Sequence, residues 1–326
     1  YEHKKSYVCT AEFYKEYYIN MRKSQKKRIW AILGMFALVA VYHYVTHRVP
    51  QVESGVERTE TDSTIVENSV QVSLDSAGNK VYENVRHVTY KNARAKGLEI
   101  PAYLTDRDEE IVQHEGFTLS YNKKHLLPNW VAWLLTRERT QGKEKRADNF
   151  QPDEKIKKGP VAEDSDYRGS GYDRGHMCPA ADCKHNRQSM NDCFLLSNIC
   201  PQTHNLNAGD WKELETKTRQ WAQRYDSIFV VCGPVLQKGH RYPKVGQNQV
   251  TVPEQFFKVL LRFTSPRQAQ AIGFIYDNSE ESNHPLEYYA VTVDSVEALT
   301  GINFFSKLEK SIERKAESQY DMKWWR

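Results

Sequence analysis

The stretch 207–225 reads N-A-G-D-W-K-E-L-E-T-K-T-R-Q-W-A-Q-R-Y, and its spacing predicts a helix over about 208–225. Trp211, Leu214, Thr218, Trp221, Ala222 and Tyr225 recur at intervals of three and four, which puts them on one buried helical face. Asn207, Trp211 and Glu215 are spaced by four, so at roughly 100° per residue each lies about 40° from the last. Glu215 therefore borders the apolar face instead of standing in solvent. A carboxylate in that position needs a partner, either a structural Arg or Lys or a divalent metal ion with its water shell. Asn207, just ahead of the helix, suits an N-cap.

Outward from this helix the chain reads mostly as strands. Residues 116–121 (GFTLSY) alternate, and the nearly continuous apolar run 129–135 (NWVAWLL) suits a strand buried on both faces. Further strands are expected at 227–232, 256–263, 271–276 and 288–293, and a second helix near 306–318. Strands dominate and helices are few, which predicts an α+β fold with a central, mainly antiparallel sheet.

Upstream stands Asp173-Arg174-Gly175-His176. If 173–178 is a strand, Arg174 and His176 share one face, and Asp173 and Gly175 the other. A guanidinium beside an imidazole suits a phosphodiester. Arg brings a permanent planar charge to phosphate oxygens, and His, with an ordinary pKa of about 6.5, can take a proton from water near neutral pH. Gly175 leaves room for backbone or ligand to approach. By itself the four-residue string reads equally well as a surface turn.

The 326 residues carry a formal charge of +4, but it is unevenly distributed. Nine Lys or Arg against three acids fall in residues 1–50, and six acids against two bases in 51–80, so the remainder is nearly neutral. Any reading as a nucleic-acid binder cannot rest on a basic stripe. The apolar run 29–42 (IWAILGMFALVAVY) follows Arg22, Lys23, Lys26, Lys27 and Arg28, the order of a signal segment. No small-residue cleavage site follows it, which favours an uncleaved signal anchor over 29–46, with a cleaved signal peptide as the alternative. Either reading exports the bulk of the chain. Residues 1–28 then form a short basic cytoplasmic tail, of which 1–20 could be an over-extended start, and 47–95 a polar linker. Cys178, Cys183, Cys193 and Cys200 crowd around the His176 motif, with Cys232 beyond. In an exported chain these are disulfide candidates, although their odd number leaves at least one thiol free. Zinc is the weaker reading, since no C-x-x-C pair is present, and the zinc deaminase signature is absent.

Further ordered motifs join these: Pro128-Asn129-Trp130-Val131-Ala132-Trp133, Arg146 within R-A-D-N-F-Q-x-D, and Leu196-Ser197-Asn198-Ile199 with Pro201-Gln202. With Asp173 to His176 and with Asn207, Trp211 and Glu215, they resemble the DNA/RNA non-specific endonuclease family of the ββα-metal, or His-Me finger, superfamily. The resemblance spans about 96–326. It implies a metal-dependent hydrolysis of DNA and RNA to 5′-phosphate and 3′-hydroxyl ends, with His176 as the general base. It also implies Asn207 as the sole direct protein ligand of Mg²⁺, with Mn²⁺ or another divalent ion as substitutes, and Glu215 holding the metal's waters. Arg146 and Arg174 become the phosphate contacts, and Asn198 orients the site. The alternatives are a nucleic-acid receptor that keeps the fold without catalysis and an exported nuclease toxin.

Overall fold

The computed structural model describes residues 57–60, 64–74, 80–90 and 97–326, apart from 158, 266, 282–283 and 326. The expected signal anchor at 29–46 and the basic tail before it lie outside the described residues. Among the described residues no helix is long and apolar enough to cross a membrane. Where a polar linker is expected over 47–95, the chain forms β1 (Glu57–Glu60), β2 (Thr64–Leu74) and β3 (Lys80–Tyr90). Strands β1 and β2 pair antiparallel. Val66, Val70, Val72 and Leu74 alternate at period two, a strand signal that the surrounding Ser, Thr and Glu dilute.

The main body is built on a seven-stranded sheet. In chain order its first strands are β4 (Glu110–Gln113), β5 (Thr118–Asn122) and β6 (Leu127–Thr136), followed by the short helices α1 (Arg137–Thr140) and α2 (Asp164–Tyr167). Next come β7 (Asp173–His176), α3 (Arg187–Asp192), β8 (Ile199–Gln202), α4 (Trp211–Tyr225) and β9 (Ser227–Pro234). The chain closes with the small pair β10 (Lys244–Val245) and β11 (Val250–Thr251), then β12 (Gln255–Ser265), β13 (Gln268–Asp277), β14 (Ala290–Val291), α5 (Val293–Thr300) and α6 (Lys310–Glu317). The sheet order is β14-β13-β12-β9-β6-β5-β4, and every neighbouring pair is antiparallel.

Alternation along the central strands explains why the sheet is covered on both faces. Val131, Trp133 and Leu135 of β6, Ile228 and Val230 of β9, and Phe256 and Leu260 of β12 enter one core with Trp211, Leu214, Trp221 and Ala222 of α4. Trp130 and Ala132, Phe229 and Val231, and Phe257, Val259 and Leu261 enter the other, with Val293 and Val296 of α5 and Ile312 and Ala316 of α6. Each large apolar side chain so buried contributes about 1.5–3 kcal/mol. The first core also takes in Ile199 and Cys200 of β8 and Met177 just beyond β7, and so supports the His176 motif from beneath.

Three sequence expectations change. The strand expected at 288–293 shrinks to Ala290–Val291, and the residues after it begin α5. Thr292 caps that helix by accepting from the Ser295 N–H, and Gly301 ends it at φ +70°. The helix expected from 208 starts as a π-helical turn, Leu206–Asp210, with a kink at Gly209 (φ −105°, ψ −108°), before regular α4. Asn207 thus lies inside the irregular turn and is not an N-cap. The third change concerns the cysteines. Cys178, Cys183, Cys193, Cys200 and Cys232 are all buried free thiols. They pack as small core residues, the Cys193 thiol donating to the Met190 carbonyl and the Cys232 thiol to that of Met177. Cys178 and Cys183 bring their sulfurs to 3.6 Å without a bond. None of the five joins a group with metal-ligand spacing among the described residues.

Trp133 tests the first core. It is 2% exposed, and its indole N–H donates to Asp182 at 3.2 Å. Trp133→Ala is expected to lower stability by about 3–5 kcal/mol in urea unfolding. A loss below about 1 kcal/mol would show that this face is not packed as described.

Candidate active site

Strands β7 and β8 set Asp173 opposite Gln202, Arg174 opposite Pro201, Gly175 opposite Cys200 and His176 opposite Ile199. The Gln202 side chain lies so close against Gly175 that a Cβ there would stand 2.0 Å from Gln202 Oε1 and 2.3 Å from its Cδ. Only glycine fits there, and the space it leaves is filled by the Gln202 side chain. That amide is fully buried, yet neither its oxygen nor its nitrogen has a hydrogen-bond partner among the described residues. A buried amide without partners costs roughly 1–3 kcal/mol. The Pro201-Gln202 motif gives Gln202 no role by itself; in the fold Gln202 faces Asp173 across the strand pair and lays its side chain against Gly175.

His176 is 9% exposed, and its Nε2 is buried with no hydrogen-bond partner among the described residues. The ring is bonded to the Arg174 backbone, which leaves Nε2 as the nitrogen with a free lone pair. Phe194 meets the imidazole edge-on at 4.8 Å between ring centroids, and Phe150 packs against it at 5.6 Å. Burial first, then the charge of Arg146, lowers the His176 pKa to about 4. At neutral pH the ring is therefore uncharged and able to accept a proton.

The same two phenylalanines gather the arginines. The Arg146 guanidinium lies over Phe194 at 4.9 Å, and that of Arg174 over Phe150 at 5.4 Å. Arg146 is exposed and paired only with its neighbour Asp148. Arg174 donates through Nε to Asp164 at 2.6 Å. Both expected arginines therefore stand around His176, one reaching solvent and one braced by a carboxylate.

Asn198 does something different. Its Oδ1 accepts from the Cys178 N–H, and its Nδ2 donates to the carbonyls of Cys178 at 2.9 Å and Cys193 at 2.8 Å. The amide is fully buried. Its bonds all go to backbone, so Asn198 fixes the chain two residues beyond His176 and has no free donor for a substrate.

On the helical side, Asn207 donates through Nδ2 to Asp173 at 2.9 Å. Its Oδ1 has no hydrogen-bond partner among the described residues and is turned away from that carboxylate. His204 also bonds Asp173, at 2.8 Å, so Asp173 ties the start of β7 to the turn that carries Asn207. Tyr289 donates to Asp210 and holds the other end of that turn. Trp211, 1% exposed, donates from its indole to the His176 carbonyl at 3.3 Å, fastening α4 to β7.

Glu215, one turn further along α4, is half-buried and makes no hydrogen bond or ion pair within 4 Å among the described residues. A structural Arg or Lys partner is thereby set aside. Burial is the main cause that pushes its carboxyl up to about 7, while Lys258, Arg219 and Arg146 pull the other way. Lys258 was not anticipated from sequence: it is 1% exposed on β12, with its ammonium 4.2 Å over the Trp211 ring. Arg146 acts on both His176 and Glu215, so the strand and helix halves share one electrostatic environment. An unbonded amide oxygen and an unpaired carboxylate on the same stretch of helix suit a hydrated, oxygen-preferring cation.

The sequence pattern of the DNA/RNA non-specific endonucleases matches residues 94–311. The chain belongs to that family. It is 36% identical over 213 residues to the mitochondrial nuclease EXOG of Xenopus laevis, a match that covers 62% of this chain and 60% of the relative. A nuclease of Nostoc sp. is 34% identical over 230 residues, covering 68% of this chain and 82% of its own. Among solved structures, the crystal structure of an EndoG/EndoGI complex aligns with a TM-score of 0.58 at 28% identity, over 65% of this chain and 90% of the other. The chain thus spans about 60% of the length of the Xenopus relative.

Glu215 yields a signed prediction. Its folded pKa of about 7 lies above the ordinary 4.5, so without metal it costs stability progressively as pH rises from about 4.5 through about 7. In EDTA, the Tm of Glu215→Gln should exceed that of wild type by more at pH 8 than at pH 5. A gap that narrows or reverses with rising pH would contradict this placement.

Proposed function

We propose that this chain is a sugar-non-specific endonuclease that hydrolyses DNA and RNA phosphodiesters with a hydrated divalent cation, Mg²⁺ in the first instance. The observation that carries the reading is the buried, unbonded Nε2 of His176, an imidazole kept neutral and available between two arginines. A binding protein has no use for such a nitrogen, since burying it unpaired costs stability.

His176 Nε2 takes the proton from a water as that water's oxygen bonds to phosphorus and the P–O3′ bond breaks, leaving 5′-phosphate and 3′-hydroxyl ends. Arg146 and Arg174 hold the phosphate oxygens, where planar charge counts most as negative charge builds up. Asn207 Oδ1 would be the direct protein ligand for the cation, and Glu215 would hold its waters. Bound there, it would supply charge stabilisation for the leaving oxygen and an acidic water as the source of that oxygen's proton. Contacts of this kind address phosphate and sugar, so no basic stripe and no base reading are required.

The basic flank and apolar run at 22–42 support anchorage in a membrane with the nuclease domain outside the cytosol. Protease protection on intact and permeabilised cells checks this, with digestion of the domain expected without permeabilisation.

Plasmid nicking by the purified chain is expected to require Mg²⁺ and to stop in EDTA. His176→Ala should lower cleavage by about 10²–10⁴-fold without loss of the folded state by circular dichroism. Metal-dependent nicking at wild-type rate in that variant would overturn the assignment of the base.

A further inference from the structure

The second face of the sheet carries a cluster that the catalytic reading does not use. Asp294 and Glu297 stand one turn apart on α5, and Glu317 is the last residue of α6. One carboxylate oxygen from each lies within 4.8 Å of the others. Oxygens that share an ion at about 2.4 Å are at most about 4.8 Å apart, so the three carboxylates are spaced to converge on one cation with a small movement of their side chains.

The burial of Glu317 is the second observation. It is 4% exposed, its Oε1 is buried with no hydrogen-bond partner among the described residues, and its carboxylate supplies one oxygen of this group. Ile312 and Ala316 of the same helix pack into the core and hold it there. The nearby ammonium does not resolve the cluster, because Lys310 is engaged with Glu313 at 2.7 Å. Glu297 has one oxygen accepting from the Phe304 N–H at 2.7 Å, which leaves its charge in place. Asp294 is exposed and gives an ion a route in from solvent. Without a cation, the repulsion among three gathered carboxylates is relieved by a shared proton.

We propose that Asp294, Glu297 and Glu317 form a second cation site, separate from His176, Asn207 and Glu215, which takes a hard divalent ion and fits calcium best. Calcium accepts six to eight oxygens in irregular geometry and completes its shell with water, whereas magnesium demands a near-ideal octahedron. An ion there bridges α5 to α6 and stabilises that helical layer.

Calcium chloride titrated into the EDTA-stripped full chain, followed by thermal unfolding, tests the site. Wild type is expected to show a saturable rise in Tm on the order of 5 °C. Glu317→Gln and Asp294→Asn should each abolish the rise, with Mg²⁺-supported cleavage unchanged, whereas Asn207→Ala should keep it. Absence of a saturable rise in wild type leaves the shared proton as the explanation and overturns the site. A rise that persists in both variants, or disappears in Asn207→Ala, places calcium elsewhere and overturns it too. If Glu317→Gln does not fold, the exposed Asp294→Asn decides between these outcomes.

Discussion

The close approach of β7 to β8 at Gly175 is the constraint on which the rest of the site depends. With Gly175 facing Cys200 and the Gln202 side chain filling the space a Cβ would need, the strand pair has no freedom to slip. A slip of one residue would turn His176 from its place between Phe150 and Phe194 to the opposite face. Two further ties pin that pair to α4: the Trp211 indole on the His176 carbonyl, and Asp173 on Asn207. His176 and Asn207, the proposed base and metal ligand, are thus carried by separate elements but fixed to one another through backbone and one carboxylate.

Burial then sets the chemistry in opposite directions for the two titratable partners. It lowers His176 to about 4 and raises Glu215 to about 7. In both cases the low-dielectric surroundings favour the neutral form. For His176 that is the form a base must have. For Glu215 it is a standing cost, which a cation with its waters would relieve and turn into affinity. Arg146 adds to burial in opposing protonation of the imidazole, and it joins Lys258 and Arg219 in favouring ionisation of the carboxyl without overcoming the effect of burial.

Much of this was legible in the chain because it rests on periodicity and local spacing. The continuous apolar run of β6 announced a strand buried on both faces, and the three-four spacing of Trp211, Leu214, Thr218 and Trp221 announced α4. The Arg174 and His176 alternation gave the shared strand face that Phe150 now marks. What escaped was set by contacts between distant segments. The kink at Gly209 displaces Asn207 from the cap position expected of it, and α5 emerges from a Tyr- and Val-rich run only because Thr292 and Gly301 cap its ends. Lys258 beneath Trp211 and the Gln202 amide beside Gly175 become visible only once strands far apart in sequence are paired. The five thiols read as disulfide partners from their crowding, yet each has found a place in the core that leaves it unpaired.

The central claim is that His176 is held as a neutral imidazole with its Nε2 lone pair free. Side-chain ¹⁵N chemical shifts of His176, followed by NMR through a pH titration of the metal-free chain, measure this directly. The account predicts a neutral ring protonated on Nδ1 that titrates near pH 4, well below an ordinary histidine. A ring protonated on Nε2, or one titrating at about 6.5, would contradict it.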